Sequence, residues 1–170
     1  MSQQTSRLRT KLLAVALAGG VVALAGAASA ATATGSFSVT MTITAECKVQ
    51  STNTLAFGSD GVLDANVDAT ATMGVQCTNT TPYNVGLNAG TASGATVTTR
   101  QMTNGAAAVN YALYSDSGRT TNWGNTVSTD TVAGTGNGAV QTLTVYGRVP
   151  AQTTPAPQAY SDTITVTVTY

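Results

Sequence analysis

Apolar and polar residues alternate along much of the chain. In Gly35 to Cys47, GSFSVTMTITAEC, the apolar Phe37, Val39, Met41 and Ile43 are separated by Ser38, Thr40 and Thr42, and Thr44 follows. Successive side chains of a strand point to opposite faces, so this spacing predicts a β-strand carrying four large apolar side chains on one side. Val67 to Cys77 repeats the pattern through Val67, Ala69, Ala71, Met73, Val75 and Cys77. Further strands are predicted at Tyr83 to Leu87, around Val109, Tyr111 and Leu113, and through Leu143, Val145, Gly147 and Val149 up to Pro150. The cleanest alternation comes last. In Tyr160 to Tyr170, YSDTITVTVTY, Ile164, Val166, Val168 and Tyr170 face one way and Thr163, Thr165, Thr167 and Thr169 the other.

Between these stretches the signals are weaker. Lys48 to Gln50 is a short segment followed by a predicted turn at Ser51 to Asn53, then Leu55 and Phe57 ahead of Gly58-Ser59-Asp60-Gly61. Thr96 to Thr103 is a further strand candidate. Ser115 to Gly138 is dense in turn formers, with Trp123 and Val127 expected to cover one end of the core. Ala151 to Gln158, bounded and broken by Pro150, Pro155 and Pro157, cannot be a central strand. No stretch after residue 28 has capped helical periodicity, and threonine fills 31 of positions 31–170. The expected fold class is all-β.

The N-terminus changes where fold reasoning begins. Arg7, Arg9 and Lys11 precede an apolar run from Leu12 to about Ala28, and Ala28-Ser29-Ala30 fits a signal-peptidase site. Residues 1–30 therefore read as a cleaved signal peptide, leaving 140 residues, enough for one domain with a real core. Without Arg7, Arg9 and Lys11, four basic residues face seven acidic ones, a formal charge of −3. Nucleic acid and anionic membrane surfaces are poor partners for such a chain.

Cys47 and Cys77 are the only cysteines. In an exported protein they most simply form one disulfide, and Cys77 lies on the apolar parity of its strand, which places the bridge in the core. Free thiols or a metal pair are the competing reading, weakened by the lack of a second ligand pair.

Little else in the composition supports chemistry. The chain contains no histidine, which excludes Ser-His-Asp and Cys-His arrangements. A carboxylate pair for glycoside hydrolysis could only come from Asp60, Asp64, Asp68, Asp116, Asp130 and Asp162, all in turn-like surroundings that favour surface solvation. Asp64, Asn66 and Asp68 imitate the start of a calcium loop, but Ala69 and Val75 stand where Gly and Glu are needed. These three read as solvated turn residues. Asn79-Thr80-Thr81 is a formal glycosylation sequon. Trp123, with Tyr111 and Tyr114 near it in sequence, is either a sugar-stacking platform or a core anchor. No cofactor and no metal are expected, and the chain reads as a non-enzyme.

Three segments together, FSVTMTITAEC, YALYSDSGRTTNWG and LTVYGRVPAQ followed by a Pro-containing linker and YSDTITVTVTY, resemble the spore coat protein U domain family. That family includes the subunits of archaic chaperone–usher pili. The resemblance covers the whole of residues 31–170. It implies an incomplete immunoglobulin-like β-sandwich lacking its final strand, with an N-terminal donor-strand segment at 31–46 and the sandwich domain at 47–170. It also implies a structural pilus subunit that polymerises by donor-strand exchange, supporting adhesion and biofilm formation. Phe37, Val39, Met41 and Ile43 match the donor residues, Cys47 and Cys77 the intradomain disulfide, and Ile164, Val166, Val168 and Tyr170 the edge strand beside the acceptor groove. The implied partners are identical or related pilin subunits, a periplasmic chaperone and an outer-membrane usher. The implied route is export to the periplasm and then to a cell-surface fibre.

The residues point the same way in two places. A long apolar strand at a mature N-terminus is an aggregation hazard without a designated partner, and a strand ending the chain offers an edge for strand addition. Burial of four donor side chains at about 1.5–3 kcal/mol each would contribute roughly 6–12 kcal/mol before ordering costs. Periodicity alone leaves open whether Phe37 to Ile43 is lent to another chain or pairs within its own domain. The alternative function is a monomeric secreted β-sandwich, either a glycan-binding module using Trp123 and exposed tyrosines or a spore or cell-coat protein.

Overall fold

The structure, a computed structural model, describes residues 29–170. The expected signal peptide at 1–30 lies outside the described residues except for Ser29 and Ala30. Of the described residues, 29–40 and those from Met41 onward belong to separate units. Within the described residues there is no helix, and Ser29 to Glu46 carries no strand.

The second unit holds eight strands: β1 (Cys47–Thr52), β2 (Val67–Cys77), β3 (Pro82–Leu87), β4 (Arg100–Asn104), β5 (Ala107–Tyr114), β6 (Val132–Thr135), β7 (Val140–Val149) and β8 (Val166–Thr169). They form a five-stranded sheet in the order β1-β2-β7-β5-β4 and a three-stranded sheet in the order β6-β3-β8. All pairings are antiparallel. The longest ladder joins β2 to β7, from Val67 opposite Val149 to Gln76 opposite Val140. On β2 the alternation places Met73, Val75 and Cys77 in the core, and on β3 it does the same for Tyr83, Val85 and Leu87. Val109, Tyr111 and Leu113 on β5 and Val145 and Val149 on β7 complete one core shared by both sheets. This is the expected all-β, immunoglobulin-like sandwich.

The Cys47–Cys77 disulfide forms where β1 and β2 begin their register, and Cys77 is buried. The β1–β2 pairing continues one residue beyond it. Thr78 N–H donates to the Glu46 carbonyl at 2.9 Å, and Glu46 N–H donates to the Thr78 hydroxyl at 3.0 Å.

Several boundaries differ from the sequence reading. β1 runs through Ser51 and Thr52 of the turn expected at Ser51 to Asn53 by absorbing an irregularity between Val49 and Ser51. β4 overlaps only the end of the Thr96–Thr103 candidate and runs on to Asn104. β6 arises inside the turn-rich Ser115–Gly138 segment, where Gly134 lies against the Tyr83 ring and a Cβ would collide with it. The last strand is four residues long, not eleven, because the chain from Ser161 to Thr165 is held by other partners described below.

Trp123 also changes meaning. Its ring is 1% exposed, its Nε1 donates to the Val85 carbonyl at 2.8 Å, and its backbone N–H donates to the Leu113 carbonyl at 2.9 Å. It therefore ties the loop to both sheets and presents no stacking surface. Val127, by contrast, is exposed and covers nothing.

Candidate functional site

Between the two sheets lies an open groove of about 1270 Å³. Its floor is the core itself: Met73 from β2, Leu87 from β3, Val109, Tyr111 and Leu113 from β5, and Val145 and Val149 from β7. One wall is the segment after β1, where Leu55, Phe57 and Leu63 are partly buried against the core. Gly147 makes room for that wall, since a Cβ there would stand 2.8 Å from Leu55 Cδ2 and 2.9 Å from Phe57 Cζ. Phe57 packs edge-to-face on Tyr111 with ring centroids 6.1 Å apart. The opposite wall is the approach to β8, through Ile164 and Val166.

The strands bordering the groove are the terminal strands of their sheets. β8 pairs with β3 along one edge, from Val166 opposite Leu87 to Thr169 opposite Asn84, and its other edge has no strand partner among the described residues. β1 is likewise the end strand of its sheet, and β1 and β8 lie near one another. The groove is thus apolar at its base and bordered on one side by β8, whose outer edge has no strand partner among the described residues, the two requirements for taking up one more strand.

The sequence-predicted residues divide around this groove. Ile164 and Val166 line it; Val168 packs partly buried against the core beyond it; Tyr170, 58% exposed, stands at the end of β8. Phe37, Val39, Met41 and Ile43 are 88%, 83%, 84% and 69% exposed. These four large apolar side chains are exposed, and none belongs to the core cluster.

Three polar residues with structural roles, of which Asp162 lines the groove, were not singled out as such from sequence. Arg100, fully buried, donates to four carbonyls: Asn88 at 2.8 Å, Val97 at 2.5 Å, Leu87 at 3.0 Å and Trp123 at 2.7 Å. Burial lowers its pKa from the usual arginine value, partly offset by Tyr111, Asp162 and Asp130. An arginine so basic remains charged, and the carbonyl dipoles carry that charge. The only hint in sequence is an arginine in a chain with few cations.

Asp162 is not a solvated turn residue. It accepts hydrogen bonds from the Tyr111 hydroxyl at 2.7 Å and from the Thr91 N–H and hydroxyl, each at 2.8 Å. Burial pushes its carboxyl up, but these bonds and the Thr163 N–H outweigh it and leave the pKa lowered. Burial, then the hydrogen bond to Asp162, pushes the Tyr111 hydroxyl well above its ordinary value. Asp68 also departs from its expected role. It lies on β2 and receives Arg148 in a two-point contact at 2.7 and 2.8 Å, with Arg119 3.3 Å away, so it pins β2 to β7 across the ladder. The Arg148 hydrogen bond is the main cause of its lowered pKa.

Residues 33–167 match the family model of the Spore Coat Protein U domain. No curated protein matches the chain. Among solved structures, the chain is similar to one in the crystal structure of the CsuC–CsuE chaperone–tip adhesion subunit pre-assembly complex, from the archaic chaperone-usher Csu pili of Acinetobacter baumannii. The identity is 24% and the TM-score 0.54, with 76% of this chain and 40% of that chain covered. The present chain thus spans less than half the length of that relative, and at this identity the likeness speaks for the sandwich fold alone. The family match spans most of the chain, with the disulfide and the residues lining the open groove inside it: this chain belongs to the Spore Coat Protein U domain family.

Proposed function

We propose that this chain is a structural subunit of a chaperone–usher pilus, exported to the periplasm and polymerised by donor-strand exchange into a surface fibre. The carrying observation is the open groove: core side chains form its base, and the free edge of β8 forms its rim. Phe37, Val39, Met41 and Ile43 are the donor residues and Ile164, Val166, Val168 and Tyr170 mark the acceptor edge. Phe37 to Ile43 and Ile164 to Tyr170 are each seven residues, about 20 Å when extended, with apolar side chains at every second position.

Donation to another copy, rather than back into the same sandwich, is supported by the two hydrogen bonds between Glu46 and Thr78. They carry the chain straight past the disulfide at the Cys77 end of β2, whereas the β2 residues in the groove are Val67, Ala71, Thr72 and Met73. Only Thr44 and Ala45 separate Ile43 from the tethered Glu46, so a reversal into the groove has almost no chain to work with. A head-to-tail contact of this kind does not close and yields a fibre.

In this reading a periplasmic chaperone holds the groove until an outer-membrane usher exchanges it for the next subunit's segment. Adhesion and biofilm formation belong to the assembled fibre, and the subunit performs no catalysis. A glycan-binding monomer built on Trp123 loses its platform, because that indole is buried and its N–H is already used. Deletion of residues 31–44 tests the proposal. The shortened subunit is expected to accept a strand but not to enter a fibre except at its end, whereas wild-type fibres assembled from the deletion variant alone would overturn it.

A further inference from the structure

Asp162 stands where the chain crosses from one sheet to the other. Just before it, Ser161 pairs with Thr103 of β4 in both directions, Thr103 N–H to Ser161 O at 2.9 Å and Ser161 N–H to Thr103 O at 3.3 Å. Just after it, Thr165 pairs with Asn88, which follows β3. Asn88 N–H donates to Thr165 O at 3.1 Å, and Thr165 N–H donates to Asn88 Oδ1 at 2.9 Å. Between these two attachments the carboxylate is itself held from both sides. Oδ2 accepts from Tyr111 on β5 of the five-stranded sheet, and Oδ1 accepts twice from Thr91 in the loop after β3 of the three-stranded sheet. That loop lies directly on the carboxylate: Gly90 has φ +88°, and a Cβ there would overlap Asp162. Tyr111, Asp162 and Ile164 all line the groove.

We propose that Asp162 is a positioning residue for strand uptake, its carboxylate fixing the spacing of the two sheets and the register of β8 while the groove is empty. The inference rests on reading the groove as a strand acceptor. An empty apolar groove gains by narrowing, because collapse removes apolar surface from water. A carboxylate bonded to β5 of one sheet and to the loop that follows β3 of the other opposes that closure, since breaking its bonds leaves the Tyr111 hydroxyl unpaired in an apolar wall. An apolar residue at 162 would supply no such tie. β8 itself is only four residues long, so the attachments at Ser161, Asp162 and Thr165 are a large part of what aligns it.

The test uses the full-length chain and a labelled synthetic peptide of residues 35–46 in excess, with near-UV circular dichroism to establish that each variant is folded. The unaltered chain is expected to bind the peptide. Asp162→Ala is expected to bind about tenfold more weakly or worse, with slower association. Tyr111→Phe should shift in the same direction, and Asp162→Asn, which keeps an acceptor for Thr91, should recover part of the loss. Should Asp162→Ala fail to fold, Tyr111→Phe decides. A residue of merely structural importance would lower the unfolding midpoint but leave the peptide affinity of the folded chain unchanged, and that result overturns the positioning role. Absence of binding to the unaltered chain would instead remove the acceptor reading itself, and this inference with it.

Discussion

Arg100 donates from Nη2 to the Trp123 carbonyl at 2.7 Å, with the guanidinium wholly shielded from solvent. Through its other bonds the same side chain holds the carbonyls of Leu87, Asn88 and Val97, so one residue joins the end of β3 to two loops. Removing it would take the donor from two buried carbonyls, Leu87 and Trp123, and two partly buried ones, Asn88 and Val97. Arg100→Ala is expected to cost about 3 kcal/mol or more, and Arg100→Lys most of that, because an ammonium cannot reproduce the planar fork. Urea unfolding with the disulfide intact measures both.

Trp123→Phe keeps an aromatic ring but loses the hydrogen bond to the Val85 carbonyl. A loss of about 1–3 kcal/mol is expected for leaving that carbonyl unsatisfied, and more for Trp123→Ala, where a cavity is added. Thermal unfolding provides the comparison.

Much of this architecture can be read from alternation alone. β2 occupies Val67–Cys77, as its run of apolar positions predicts, and β3, β5 and β7 contain the predicted inward residues. Where the reading fails, pairing or polar bonding decides instead of side-chain pattern. β6 is four residues including Gly134, and its ladder to β3 replaces the missing hydrophobic signal. β8 is shortened because Asp162 and Thr165 are bonded to the Asn88–Thr91 loop, a partnership between residues more than 70 positions apart that no local pattern encodes. Asp162 reads as a surface charge because charged groups are seldom buried, and no local pattern marks Arg100. Their partners are backbone carbonyls, a tyrosine and a threonine, which no charge-pairing search along the sequence would find.

The Tyr111–Asp162 pair predicts two limits of pH stability. Burial pushes the Asp162 carboxyl up, but its hydrogen bonds prevail and hold the folded pKa below the ordinary 3.8. A depressed folded pKa contributes stability above that value, and the contribution is lost as pH falls through the lower folded pKa. Tyr111 is raised above its ordinary 10.0, first by burial and then by Asp162, so its contribution is present below pH 10.0 and lost as pH rises beyond it. Urea unfolding across this range should show Asp162→Asn flattening the acid side and Tyr111→Phe the alkaline side. Asp68, lowered chiefly by its bond from Arg148, adds to the acid slope, but as a partly exposed group it adds little.

The Cys47–Cys77 bridge spans 30 residues of chain. Replacing both cysteines by serine should cost about 3–4 kcal/mol, the chain-entropy value for a loop of this size. The shift in urea midpoint of the double variant against the oxidised parent measures it.

The central claim is that Phe37, Val39, Met41 and Ile43, exposed in their own chain, are buried in the groove of the next. Running surface material on a denaturing gel without boiling tests this most directly, comparing the unaltered chain with Met41→Asp. A charge in an apolar groove costs several kcal/mol, so the account predicts a ladder of multimers for the unaltered chain and monomer alone for Met41→Asp. A single monomer band from the unaltered chain, or an undiminished ladder from Met41→Asp, would contradict it.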